Sequence, residues 1–325
     1  MRFSGITTVA VAFLAMVASQ SADATTLRIA HSSPDRSLIN EAMTRFKTEL
    51  EARTNGDITV EVYPNSLLGD EGPVAEAVGD GSIDMGLGGV VDAIDPRLNV
   101  VSLPFLYSSF DDVHRLLDGD VGQQLYAMAE PRGYKILGVL DSGFRNFTNN
   151  KRPIEKPEDM QGMKFRVPPI NVALETIKVF GGLPQTVPYG ETYMALQSGA
   201  VDGAEPELRD FYDAKWYEVQ KYLSLSNYMW MANYWFMNLN RFKSLPEDQQ
   251  KAVTDVANDV QAWYRQEIEK AYKETLDKLT SAGVKVNKVD TAPFAAMVDP
   301  VYDRFSKDYG ADLVGAVRAA TSGKK

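Results

Sequence analysis

Residues 143–207 read GFRNFTNNKRPIEKPEDMQGMKFRVPPINVALETIKVFGGLPQTVPYGETYMALQSGAVDGAEPE, and their reading decides the fold. In MKFRVPP, Met163, Phe165 and Val167 alternate with Lys164 and Arg166, as in a strand packed on one face. Pro168 and Pro169 end that strand, because proline cannot continue a ladder. Arg166 therefore stands at a strand's carboxyl end, where open α/β sheets bind ligands. The bland alternative is an ion pair between Arg166 and a surface acid. A second arginine, Arg145, lies in the strand-like GFRNFT, and a helix-then-strand unit, TYMALQSGAVDGAEPE, closes the stretch. A guanidinium fork donates two parallel hydrogen bonds to a carboxylate and stays charged at any working pH. The stretch is expected to form the receiving half of a cleft for a small carboxylate.

Outward from it, the chain alternates strands and helices. TLRIA (26–30) reads as a strand, 36–53 as an amphipathic helix with Ile39, Ala42, Met43, Phe46 and Leu50 inside, and DITVEVY (57–63) as a strand. That order implies a right-handed βαβ unit and a mainly parallel sheet. Helices are expected over 110–128, 171–180, 190–197 and 211–223, and strands over 134–140 and the aromatic-rich 227–238. Ser244-Leu-Pro-Glu247 has the form of a capping box opening a long helix that runs to Gly283. A last strand at 284–286 and a helical tail over 293–320 follow. There is also an internal echo. Ala77-Val-Gly-Asp-Gly81-Ser-Ile83-Asp84 resembles Ala195-Leu-Gln-Ser-Gly199-Ala-Val201-Asp202, as two similarly built α/β lobes would produce.

Bulk properties narrow the function. Arg2, an apolar run from Ile6 to Ala18 and small residues at Ala22 and Ala24 describe a secretory leader over residues 1–24. With no cysteine anywhere, disulfides, thiolate catalysis and a lipid anchor at the cleavage site are all excluded. A bacterial periplasm suits such a chain. The net charge of -10, without a basic run, argues against nucleic acid and anionic membranes. An anionic ligand then needs a local positive site, which the two arginines supply.

Taken together, these segments resemble the DctP-like solute-binding proteins of tripartite ATP-independent periplasmic (TRAP) transporters. The resemblance rests on TLRIAHSS, DITVEVYPNSLLGDE, DGSIDMGLGG, LPFLY, GFRNFT, PEDMQGMKFRVP, VPYGETYMALQSGAVDGAE, KWYEVQKYLSLSNY and SLPEDQQKAV, in that order. It implies two α/β lobes, hinge-crossing strands and a long helix spanning both. Residues 25–145 with about 235–275 would form one lobe, and 146–234 with about 276–325 the other. It further implies closure over one solute that passes to membrane permease subunits, with the binding protein a monomer. Arg166 matches the arginine that pairs with the solute carboxylate, Arg145 the second arginine, and Tyr189 the residue before the ALQ helix. Gly88 or Gly89 stands where many members offer a polar side chain. Glu205-Pro206 replaces the usual Glu-Asn, so the chain lacks that asparagine amide.

Ser32, Glu71, Asn233 and Trp235 are further candidate contacts, and Glu205 and Glu207 lie close to the stretch's end. Acids beside the arginines point to a solute with hydroxyls or a cationic group next to its carboxylate. A hydroxylated sugar acid fits best; C4-dicarboxylates, 2-oxo acids and aromatic acids remain as alternatives, as does a ligand-sensing role in place of transport. Catalysis has little to work with. The histidines are His31, at a strand end, and His114, read as a surface residue of a helix; neither GxSxG nor HExxH occurs. No cofactor or metal is expected, since no compact acid cluster is present.

Overall fold

The computed structural model describes residues 24–321. The expected leader lies outside them except for Ala24. The chain enters through β1 (Thr25–His31), α1 (Leu38–Arg53) and β2 (Ile58–Tyr63). Ser37 starts α1 by accepting the Asn40 N–H, and the anticipated apolar stripe is buried. β1 and β2 pair in parallel, as the βαβ reading requires. Next come α2 (Glu71–Asp80), β3 (Met85–Gly88), α3 (Phe110–Asp118), α4 (Asp120–Ala129) and β4 (Tyr134–Asn149). The single helix expected over 110–128 is thus two, parted at Gly119, whose extended backbone interrupts the helical ladder.

β5 (Lys164–Val167), α5 (Asn171–Val179), β6 (Leu183–Thr186), α6 (Thr192–Gln197) and β7 (Gly203–Ala204) follow. Then come α7 (Leu208–Asp213) and β8 (Tyr222–Asn238). The helix expected over 211–223 is not formed. Lys215 turns left-handed (φ 60°) and ends α7, a short 3₁₀ turn buries Trp216, and β8 has begun by Tyr222. α8 (Leu239–Ser244) precedes α9 (Glu247–Ser281), and β9 (Lys285–Lys288), α10 (Ala292–Ala295), α11 (Asp299–Tyr309) and α12 (Ala311–Thr321) complete the chain. The capping box is also absent. Pro246 occupies the cap position, while the Ser244 hydroxyl turns back to the Arg241 carbonyl and finishes α8.

Among the described residues, one mixed sheet of nine strands runs β2-β1-β3-β8-β4-β7-β5-β6, with β9 on β8. The outer triplets β2-β1-β3 and β7-β5-β6 are parallel. Between them the long strands β4 and β8, of 16 and 17 residues, pair antiparallel along their length. The internal echo has a counterpart here. β3, after α2 and Gly81, lies beside β8, and β7, after α6 and Gly199, lies beside β4; both glycines are left-handed. The pairing of β4 with β8 shifts register between Ile136 and Gly138, Asp141 and Gly143, and Arg145 and Phe147. Such irregularities bend a strand and re-aim its side chains. At the third, Asn146 accepts the Ser226 and Asn227 N–H groups with its side chain.

α9 has 35 residues, about 52 Å at 1.5 Å per residue. Val253, Val256, Val260 and Tyr264 pack in a core with Phe46 of α1 and Leu27 of β1. Leu279, near its other end, joins Leu208, Phe211 and Trp216 in a separate core. A mixed α/β frame of two crossing strands and one spanning helix is what the two-lobed reading anticipates.

Candidate functional site

A cavity of about 420 Å³ opens between the carboxyl ends of the outer strands and the middle of β4 and β8, well within the range of small-ligand sites. Arg166 reaches it from the carboxyl end of β5, as the Pro-Pro stop implied. Its side chain is 3% exposed, its Nε donates to the Val187 carbonyl at 2.9 Å, and its guanidinium lies 5.4 Å from the Trp216 ring centre. No carboxylate pairs with it among the described residues. The alternative of an ion pair with a surface acid is therefore overturned. Burial, then the nearby Arg145, lowers its pKa from the usual arginine value, the mark of a cation short of counter-charge.

Arg145 is in a different state. Its Nη2 donates to Glu205 Oε1 at 2.8 Å, its Nε donates to the other Glu205 oxygen, and its Nη1 donates to Glu207 Oε1 at 2.6 Å. Tyr228 adds its hydroxyl to Glu205 at 2.5 Å. Burial alone would lower the Arg145 pKa; the charges of Glu205 and Glu207 outweigh it and raise it well above normal. Both arginines border the cavity, but only Arg166 has its charge to spare.

Glu71 begins α2 and is held on both oxygens. Ser32 donates to Oε1 at 3.0 Å, and the Gly89 and Val90 N–H groups donate to Oε2 at 2.8 and 3.0 Å. Burial, then Asp70, raises its pKa. This contact explains the glycine pair. A Cβ on Gly88 would sit 2.8 Å from Glu71 Cγ, and one on Gly89 2.3 Å from Met231 Cε. The two glycines thus admit close neighbours. Asp70 caps α2 through Oδ1 and accepts the Gly190 N–H on Oδ2 at 3.1 Å, joining the two walls of the cavity.

Arg166, Arg145, Tyr189, Glu71 and Asn233 all line the cavity. Ser32, Gly89, Glu205 and Pro206 stand behind that lining, holding Glu71, Arg145 or, through the Pro206 carbonyl, the Asn146 N–H at 2.9 Å. Trp235 does not reach it. Two residues beyond Asn233 on β8, its ring meets Phe46 of α1 edge-on at 4.6 Å, fully buried. His114 is not a surface residue either: its Nε2 lies 2.9 Å from the buried Asp141.

Sequence reading missed Ser66 and Asp210. Ser66 sits in a turn where it and Asn65 both take left-handed φ (55° and 58°), and its hydroxyl is buried without a partner. The Tyr189 hydroxyl is likewise buried and unpartnered, with its ring 5.3 Å from Trp216. Asp210, on α7, faces the cavity with no side-chain hydrogen bond among the described residues. The turn-rich loop after β2 and the acids following Pro206 were the available signals. Among the described residues no three His, Cys, Asp or Glu side chains cluster as a metal site.

The comparisons agree with this geometry. Residues 29–308 match the family model for bacterial extracellular solute-binding protein, family 7. The 2,3-diketo-L-gulonate-binding periplasmic protein YiaO of Escherichia coli K12 is 31% identical, over 94% of this chain and 95% of its own. A TRAP periplasmic solute-binding protein from Polaromonas sp. JS666, bound to D-erythronate, superposes with a TM-score of 0.88 at 30% identity, covering 91% of this chain and 98% of that one. Another from Sulfurospirillum deleyianum, with bound succinate, gives 0.86 at 30% identity, over 91% and 99%.

Proposed function

We propose, on the premise that this chain belongs to bacterial extracellular solute-binding protein family 7, that its cavity holds a hydroxylated monocarboxylate, a sugar acid of the uronate or aldonate kind. The family supplies the rest of the frame. The chain is a TRAP solute-binding protein and not an enzyme; it captures a small organic acid and works with TRAP permease subunits. No helix among the described residues is long and apolar enough to cross a membrane. We place the protein in the periplasm, released from its leader and acting as a monomer.

One observation carries the ligand reading: Arg166 is a buried cation facing the cavity without a carboxylate of its own. A solute carboxylate supplies that counter-charge through two parallel donors. Around it stand groups suited to hydroxyls: the Tyr189 and Ser66 hydroxyls, the Asn233 amide and the acids Glu71 and Asp210. Two charge-assisted bonds contribute about 1.5–3 kcal/mol each, whereas micromolar binding needs about 8 kcal/mol. Hydroxyl contacts and drying of the cleft on closure make up the difference. We assign residues 25–145 and about 235–275 to one lobe and 146–234 with about 276–325 to the other, hinged along β4 and β8.

Titration calorimetry of residues 25 onward against sugar acids, dicarboxylates, 2-oxo acids, aromatic acids and neutral sugars tests this. A sugar acid is expected to bind in the micromolar range or tighter. A neutral sugar binding as tightly as its acid would overturn the reading.

A further inference from the structure

We propose that Glu207 and Asp210 set this cavity's specificity: they receive the hydroxyls of the solute's tail and turn away a second carboxylate. The inference rests on the sugar-acid reading and narrows it. The cavity is bordered by two cations, Arg145 and Arg166, and five acids, Asp70, Glu71, Glu191, Glu207 and Asp210. Arg145 is already committed to Glu205 and Glu207. One cation therefore remains for the ligand, and it satisfies one carboxylate.

The other end of the ligand meets α7. Glu207 precedes the first residue of that helix and spends one oxygen on Arg145; its second oxygen has no hydrogen bond among the described residues. Asp210, three positions on, has neither oxygen hydrogen-bonded among the described residues. The neighbouring Arg209 points elsewhere, to the Tyr264 hydroxyl at 2.9 Å and to Asp213 at 3.3 Å. Burial, then Glu207, pushes the Asp210 carboxyl well above the usual range, so this spot already resists the charges it has. A third carboxylate there would find no uncommitted cation among the described residues. A hydroxyl donates to a carboxylate and accepts from a neutral acid, so it is satisfied in either state. The buried, unpartnered Tyr189 hydroxyl stands beside these acids and Arg166, close enough for both signs of charge to act on it.

The fold itself does not impose this choice, because the similar Sulfurospirillum protein has bound succinate. In this chain the acids at the start of α7 are the groups placed to do so. Two probe pairs isolate the effect, each differing only in a terminal hydroxymethyl or carboxylate: D-erythronate with meso-tartrate, and D-galactonate with galactarate. Calorimetry on the full mature chain should show at least one monocarboxylate binding about 100-fold or more tightly than its dicarboxylate. Asp210→Asn, nearly the same shape but unable to carry a negative charge, should shrink that ratio at least fivefold, with the melting point confirming the fold. Dicarboxylates binding within fivefold of their partners in every pair whose monocarboxylate binds the wild type overturn the inference and leave the sugar-acid reading standing. An unchanged ratio in Asp210→Asn overturns the role of Asp210. Binding of neither monocarboxylate, or of dicarboxylates alone, overturns both readings.

Discussion

Arg145 grips Glu205 with two parallel donors, the arginine at the cavity's edge and the carboxylate buried behind it. Glu207 completes the arrangement from the other side at 2.6 Å. Removing one partner of such a group strands the others' charge in a dry place, at a cost of about 3–5 kcal/mol. Arg145→Ala is therefore expected to lower the urea midpoint sharply in the absence of ligand. An unfolding curve superimposable on wild type would contradict a stabilising role for this buried pairing.

Arg166 predicts the opposite pattern. Its cation has no acid to strand, so Arg166→Gln should leave the ligand-free melting point unchanged or raised. Binding should weaken about 100-fold or more, as expected for loss of two charge-assisted bonds of about 1.5–3 kcal/mol each. Calorimetry beside differential scanning calorimetry separates the two effects; parallel loss of stability and affinity would contradict a free cation.

His31 gives the protein a definite acid limb. Its ring is buried, its Nε2 meets Asn40 Oδ1 at 3.3 Å, and burial lowers its pKa to about 4. The unfolded chain, with a histidine pKa of about 6.5, binds the proton first. Stability from this group is thus complete above about pH 6.5 and is lost as pH falls toward 4, by at most about 3 kcal/mol. Glu71 and Asp210, whose pKa values burial raises, push the other way, so the comparison must be between variants. His31→Gln should lose less stability than wild type between pH 7 and 4.5 in urea titrations. Parallel curves would refute the assignment.

Asp70 serves two masters, the start of α2 and Gly190 on the facing wall. Asp70→Ala should cost about 1 kcal/mol of stability through the lost cap. It should also speed ligand release about fivefold, since a hydrogen bond contributes about 1 kcal/mol. Stopped-flow dissociation measures the second effect; an unchanged release rate would confine Asp70 to capping.

The frame and the chief cation were legible because both rest on local rules. Alternation in MKFRVPP and the proline stop fixed the place of Arg166 without any tertiary information. Arg145 was found but its state was not, because its partners come from 60 and 62 residues away and only the fold brings them together. Trp235 shows the limit of strand parity. It shares a face of β8 with Asn233, yet α1 covers that face at one residue and leaves it open at the other. Gly88 and Gly89 were noted as missing side chains, whereas close packing against Glu71 and Met231 excludes any side chain there. Asp210 gave only a weak signal, one of the acids following Pro206: an acid on a short helix reads as solvated until the helix is placed.

The position of β8 governs when the sheet can be assembled. β3, complete by Gly88, hydrogen-bonds not to β4 but to residues 234–237 of β8. β4, complete by Asn149, waits for the same strand. In a chain emerging from the ribosome the β2-β1-β3 and β4-β7-β5-β6 portions therefore cannot be joined until β8, ending at Asn238, has been made. Pairings so distant in sequence form slowly, which prolongs the interval in which the chain is still threadable.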